Sequence, residues 1–201
     1  MTDRKTDLVE EPTAGYGEVY TYTDYMKFQY EEMVELIRGK IIRMSVAPRK
    51  DHQQISMGLS NEIYNYLKDK PCSIFAAPFD VVLPIHNESK DKSTTVVQPD
   101  LCIICDESKL DDAGCFGAPD WVIEILSPST SKKDLTDKYS IYEESGVKEY
   151  WVIMPRQEIV EVFLLEDGKY ARKPIYTPED IATPFTFPDL HIELAQIFPN
   201  S

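Results

Sequence analysis

The sequence predicts a mixed β-sheet with helices packed against it, an α/β or α+β domain. Three observations carry that expectation. Two short apolar runs, VVQPDLCIIC and APDWVIEILS, have the length of buried strands. Two longer segments repeat apolar residues at helical spacing, and strand-like and helical stretches alternate along the chain. No repeat of fixed period is visible, and neither phosphate-binding glycine motifs nor a nucleophile elbow occurs.

The elements follow in order. Residues 1–18, broken by Pro12, Gly15 and Gly17, read as a flexible lead-in, which leaves 19–201 as a single domain. TDYMKFQYE starts a short helix that Thr23 or Asp24 can cap, with Tyr25 and Phe28 on one side. MVELIRGKIIRMS reads as two strands about a turn at Arg38 and Gly39, ended by Pro48. KDHQQISMGLSNEIYNYLKDK is a helix whose stripe is Ile55, Leu59, Ile63, Tyr66 and Leu67. FAAPFDVVLP follows as one strand, HNESKDKSTT as a loop, and then comes the run containing Asp100.

DESKLDDAGCFGAP is rich in turn formers and reads as a loop into the run containing Glu124. Ser127-Pro128-Ser129-Thr130 closes that strand and caps a helix, with Asp134 placed to complement the helix dipole. Leu135, Tyr139 and Tyr142 form its apolar stripe, Lys138 flanks the stripe, and Gly146 ends it. EYWVIMP, EIVEVFLLE and KYARKPIY are three further strands, the last two joined by Glu166-Asp167-Gly168. The tail TPFTFPDLHIELAQIF reads as a short strand and a helical turn.

Composition narrows the class. No stretch is long and apolar enough to span a bilayer, and the N-terminus is too polar for a signal peptide, so a cytoplasmic protein is expected. Cys102 and Cys105 lie three apart on a strand and point to opposite faces, so the four cysteines are expected to be buried free thiols. The net charge of -14 argues against a broad nucleic-acid surface. Local basic clusters remain: Arg38, Lys40, Arg43, Arg49 and Lys50 in one segment, and Lys132, Lys133 and Lys138 in another.

Acids embedded among apolar residues are the chemical signal. Asp100 follows Pro99 at the head of a strand, and Glu124 stands between Ile123 and Ile125. A carboxylate stripped of water there must be protonated, paired or bound to a cation, and two such acids on neighbouring strands suit a hard divalent metal. Glu35 sits between Val34 and Leu36, where alternation makes an outward-facing residue the natural reading. His52 falls in the first turn of its helix and serves as a capping or packing residue, or reaches a site beside Glu35. Lys138 has an ordinary alternative, a surface ion pair with Asp134.

Pro99-Asp100, Glu124-Ile125-Leu126, Ser127-Pro128-Ser129-Thr130, Asp134, Lys138-Tyr139, Gly146-Val147 and Glu149-Tyr150-Trp151 together resemble the Uma family of restriction-endonuclease-like proteins. That family lies in the PD-(D/E)XK nuclease superfamily, and the similarity runs from about Thr23 to the C-terminus. The resemblance implies a restriction-endonuclease-like fold and a DNA endonuclease using Mg²⁺ or Mn²⁺. Asp100, Glu124 and the backbone carbonyl of Ile125 would be its metal ligands. It also implies a lysine two residues after the glutamate, where this chain has Leu126, and Lys138 as the migrated replacement. Glu35 matches the superfamily's acid from an early element, and His52 is a phosphate-contact or supporting candidate. The alternative is a nuclease-fold protein that binds a partner or regulates and cuts nothing; a hydrolase for small phosphoesters lacks a recognisable substrate loop. A homodimer is expected, to cover the edges of EYWVIMP and EIVEVFLLE.

Overall fold

A computed structural model describes residues 19–28, 33–44, 49–127 and 132–198, with the side chains of 86 and 132–134 left aside. The proposed lead-in, the Pro48 stop and the 128–130 cap lie outside the described residues.

The chain opens with α1 (Tyr22–Tyr25), one residue earlier than the sequence suggests. Thr21 precedes it, and the Asp24 carboxylate accepts both the Thr21 N–H at 3.0 Å and its hydroxyl at 2.8 Å, so Asp24 closes the turn from inside it. A hairpin follows, β1 (Val34–Ile37) and β2 (Lys40–Arg43), turning through Arg38 and Gly39, both at positive φ. Next is α2 (Lys50–Leu67).

FAAPFDVVLP, expected as one strand, is two. β3 (Ser73–Ala76) and β4 (Val81–Val82) belong to different sheets and are separated by the cis Ala77–Pro78 bond. VVQPDLCIIC divides in the same way into β5 (Val96–Val97) and β6 (Leu101–Ile104) around Gln98, Pro99 and Asp100. Proline has no N–H to give a ladder, so each run breaks there and the chain changes sheets. The segment expected as a plain loop contains two short strands, β7 (Leu110–Asp111) and β8 (Gly114–Phe116).

After β9 (Trp121–Ile125) come α3 (Lys132–Ser145), β10 (Glu149–Met154), β11 (Ile159–Glu166) and β12 (Lys169–Arg172). β13 (Ile181–Ala182) follows, just before the tail, which forms β14 (Ile192–Glu193) and α4 (Leu194–Ile197), the strand and helical turn anticipated.

The predicted mixed α+β architecture is present, with the strands divided between two six-stranded sheets and a small pair. One sheet runs β2-β1-β5-β4-β8-β7, the other β12-β11-β10-β9-β6-β3. In the second, β9 and β10 are parallel with α3 as the crossover, and the other pairs are antiparallel. Its two faces are covered differently. Ile55, Leu59 and Ile63 of α2 pack with Leu101, Trp121 and Ile123. Ile141 and Tyr142 of α3 pack with Cys102, Val122 and Tyr150. Strand alternation therefore turns Val122 and Glu124 toward α3.

Two expectations are corrected here. β10 and β11 lie inside their sheet and the edges are β12 and β3, so the argument for a dimer from exposed β10 and β11 edges falls away. Cys72 and Cys105 form a disulfide, leaving only Cys102 and Cys115 as free buried thiols. The β3–β6 register pairs Ser73 with Ile104, and one step further sets Cys72 opposite Cys105. Among the described residues, no helix is long and apolar enough to cross a membrane.

Gly114 ties β8 to the turn before β4. Its φ is +142°, and a Cβ there would stand 2.2 Å from the Asp80 carbonyl oxygen, which accepts the Cys115 N–H at 2.9 Å. Gly168 has φ +77° with open space around it. Gly114→Ala should therefore cost about 1–3 kcal/mol or more, read as a clear loss of melting temperature. Gly168→Ala should cost less, and equal losses would contradict the close approach.

Candidate active site

The β6–β9 ladder pairs Leu101 with Ile123 and Cys102 with Val122. One step beyond Leu101, the same register sets Asp100 opposite Glu124, on the face turned toward α3. Side chains so placed are neighbours. The two expected acids are therefore brought together at the end of the sheet.

Each acid is held in its own way. The Asp100 carboxylate accepts the Ile125 N–H at 2.7 Å and lies 3.1 Å from Nε2 of His52, which the first turn of α2 brings in. A hydrogen bond to an ionised carboxylate of this kind contributes about 1.5–3 kcal/mol. Glu124 is buried, and its Oε1 accepts the Lys138 ammonium at 2.9 Å and the Tyr142 hydroxyl at 2.6 Å.

Glu35 is not an outward-facing strand residue. It is only 5% exposed, and its Oε1 accepts the Gln98 N–H at 2.8 Å while standing 2.9 Å from the same Lys138 nitrogen. Alternation fails as a guide in β1 because all four of its residues are buried, covered on both sides. Lys138 is equally removed from its expected surface role. Its side chain, mostly covered, lies between two acids, so it does not contribute to a basic surface cluster with Lys132 and Lys133. The departure at Leu126 also has a structural counterpart: Leu126 packs against the apolar cluster beneath α3.

The charges do not balance. Burial pushes the Glu124 carboxyl up; Lys138 opposes this, and Asp100 and Glu35 add to it, leaving the group at about 7. Burial alone would drive a proton off Lys138, but Glu124 and Glu35 outweigh it and hold the ammonium above the ordinary lysine value. Burial likewise opposes charge on His52, and the Asp100 contact more than reverses it, raising the imidazole. Tyr142 is raised well above its ordinary value by burial and then by Glu124, so its hydroxyl stays a donor.

Two members were not singled out from the sequence. From the sequence Tyr142 reads as part of the packing stripe, although it lies one helical step beyond Lys138 on the same side of α3, a spacing that joins them. Gln98 carried no signal; it matters because β5 ends there and its N–H reaches Glu35.

Whether these residues suit a divalent cation follows from their charge and donor type. Among the described residues, no group of three or more His, Cys, Asp or Glu side chains is arranged as a metal cage. Glu124, whose proton affinity Asp100 raises, and Asp100 itself are nevertheless an oxygen-only pair of carboxylates. Mg²⁺ commonly uses one or two carboxylates and keeps its remaining waters, so the donor set fits.

The fold favours the protonated form of Glu124, because its folded value lies above the ordinary carboxylate value of 4.5. Metal-free protein should therefore lose stability as pH rises from that value through about 7. Glu124→Gln should flatten this dependence in urea-unfolding midpoints, and an unchanged slope would contradict the assignment. Lys138→Met should cost about 3–5 kcal/mol at pH 8, and less at pH 5, where Glu124 carries its own proton.

A family model described as "Uma2: Putative restriction endonuclease" matches residues 20–195. A crystal structure described as a putative nuclease belonging to DUF820, from Anabaena variabilis, shares 22% identity and a TM-score of 0.70. The match covers 89% of this chain and 97% of that one, and it shows the fold. No curated protein matches the chain.

Proposed function

Because the chain belongs to the Uma2 family, we propose that it is a divalent-metal-dependent endonuclease hydrolysing DNA phosphodiester bonds, with Asp100, Glu124 and Lys138 at its centre. The observation that carries this reading is the cross-strand meeting of Asp100 and Glu124 beside the Lys138 ammonium.

Asp100, Glu124 and the Ile125 carbonyl would hold Mg²⁺ or Mn²⁺. When bound, the ion supplies positive charge for the phosphoryl oxygens and activates water. The chain's own residues do the rest. The Ile125 N–H and His52 fix Asp100, so its carboxylate cannot rotate away. Tyr142 does the same for Glu124. Lys138, arriving from α3, is the group that can orient the attacking water and offset charge growing on the phosphate. Glu35 holds Lys138 from the other side. Lys40 and Arg43 are exposed on the hairpin that carries Glu35, where Arg38 is paired with Glu144, and Arg49 and Lys50 are exposed on the turn that carries His52. They give a phosphate backbone positive surface next to the acids despite the net charge of -14. A cytoplasmic setting belongs to the same proposal.

A second reading has an observation in its favour. Asp100 has His52 and Glu124 has Lys138, so each acid already has a basic neighbour. A protein that binds through a nuclease fold without cutting would show that internal pairing too.

Supercoiled DNA incubated with purified protein and Mn²⁺ or Mg²⁺ separates the two. Nicking or cutting is expected, with Asp100→Asn and Glu124→Gln each lowering it at least 100-fold. Mn²⁺ should raise the melting temperature of the wild type and of neither variant. Cleavage that survives both substitutions would refute the proposed centre. No cleavage with any divalent ion, together with DNA affinity insensitive to salt, would favour the binding protein.

A further inference from the structure

Lys138 is shared, and the two carboxylates that share it are built alike. Its nitrogen lies 2.9 Å from Glu124 Oε1 and 2.9 Å from Glu35 Oε1. Each of those oxygens has a second, neutral donor: the Tyr142 hydroxyl at 2.6 Å on Glu124, and the Gln98 backbone N–H at 2.8 Å on Glu35. A carboxylate oxygen offers about two lone-pair directions, so both oxygens are fully used. Withdrawal of the ammonium from either one leaves that carboxylate anchored by its neutral donor.

The two seats differ in what lies beyond them. Glu124 faces Asp100 across the β6–β9 ladder, where the pair would hold the divalent ion. Glu35 stands on the first sheet, and the end of β5 backs it. Both carboxylates are buried, and little water is left to screen charges between them. An ammonium and a divalent cation on one buried carboxylate repel strongly, so Lys138 resists a second cation on Glu124. The same ammonium has a carboxylate of equal reach on its other side, to which it is already bonded.

We propose that Lys138 competes with the metal for Glu124, and that Glu35 is the positioning residue that takes the ammonium when the metal binds. Lys138 then passes from bridging two acids to resting on one, a short swing that keeps it inside the site. Glu35 acts through Lys138 and is not a metal ligand. The Gln98 N–H holds the Glu35 carboxylate in place, so its seat is ready before the lysine moves. This inference rests on the divalent-metal reading of Asp100 and Glu124. It adds a coupling to that reading: the ammonium changes seat as the metal loads.

Calorimetric titration of the intact protein with Mn²⁺, in the absence of DNA, tests this apart from cleavage. The informative pair is Glu35→Gln and the double variant that adds Lys138→Met to it. The double variant removes one negative and one positive charge, so a change in its affinity cannot come from net charge. Removing both members of the pair also avoids leaving a buried charge without its partner. Glu35→Gln should bind Mn²⁺ about fivefold more weakly than the wild type, because the ammonium then has one seat, on Glu124. The double variant should bind about fivefold more tightly than the wild type, with its circular dichroism unchanged. Glu35→Gln keeps the Lys138–Glu124 pair and decides the matter alone if the double variant unfolds. A folded double variant no tighter than the wild type, or Glu35→Gln at full affinity, would overturn the inference and leave the metal reading standing. No Mn²⁺ binding by the wild type or by either variant would overturn both.

Discussion

One ammonium between two buried carboxylates is the constraint on which the site depends. Lys138 stands 2.9 Å from both Glu35 and Glu124, and these three residues come from the first sheet, the second sheet and the helix between β9 and β10. A buried carboxylate without a partner is too costly to keep ionised, so the contact fixes where β1, β9 and α3 lie relative to one another. It also sets two carboxylates against one ammonium, and Glu124 keeps its proton up to about 7. A cation that displaces this proton has two facing carboxylates, Asp100 and Glu124, to bind.

Comparison with other buried acids of the chain shows what is distinctive. Glu149 is completely buried, yet its oxygens accept the Trp151 indole N–H and the backbone N–H groups of Phe185 and Thr186. Neutral donors satisfy it, and it anchors the C-terminal segment to the sheet. Asp120 is similar, accepting the Cys105 N–H and the ammonium of Lys148. Burial of an acid is therefore no mark of chemistry by itself. Glu124 differs because it faces a second acid across the ladder and shares its cation with a third.

The two proline-marked breaks also create the geometry. At Pro78 and at Pro99 the chain leaves one sheet for the other, and the residues at these crossings are Asp80, Gln98 and Asp100. Crossing points expose side chains that regular ladders would commit to one face or the other. The carboxylate centre uses residues from these crossings: Asp100 itself, and Gln98 through its N–H to Glu35.

The sequence alone determined the order of the main elements, the core stripe of α2, the hairpin at Arg38–Gly39 and the presence of one acid, Asp100 and then Glu124, in each of two successive apolar runs. These follow from local periodicity, turn chemistry and the cost of an acid in an apolar run, all of which act over a few residues. Tertiary structure decided the rest. Glu35 turned inward because both sides of β1 are covered, Lys138 turned toward the sheet because two acids waited there, and Tyr142 became a donor as well as a packing residue. The Cys72–Cys105 bond and the splitting of two apolar runs between sheets belong to the same class. Each depends on which strand lies beside which across tens of residues, and no local pattern along the chain records that adjacency.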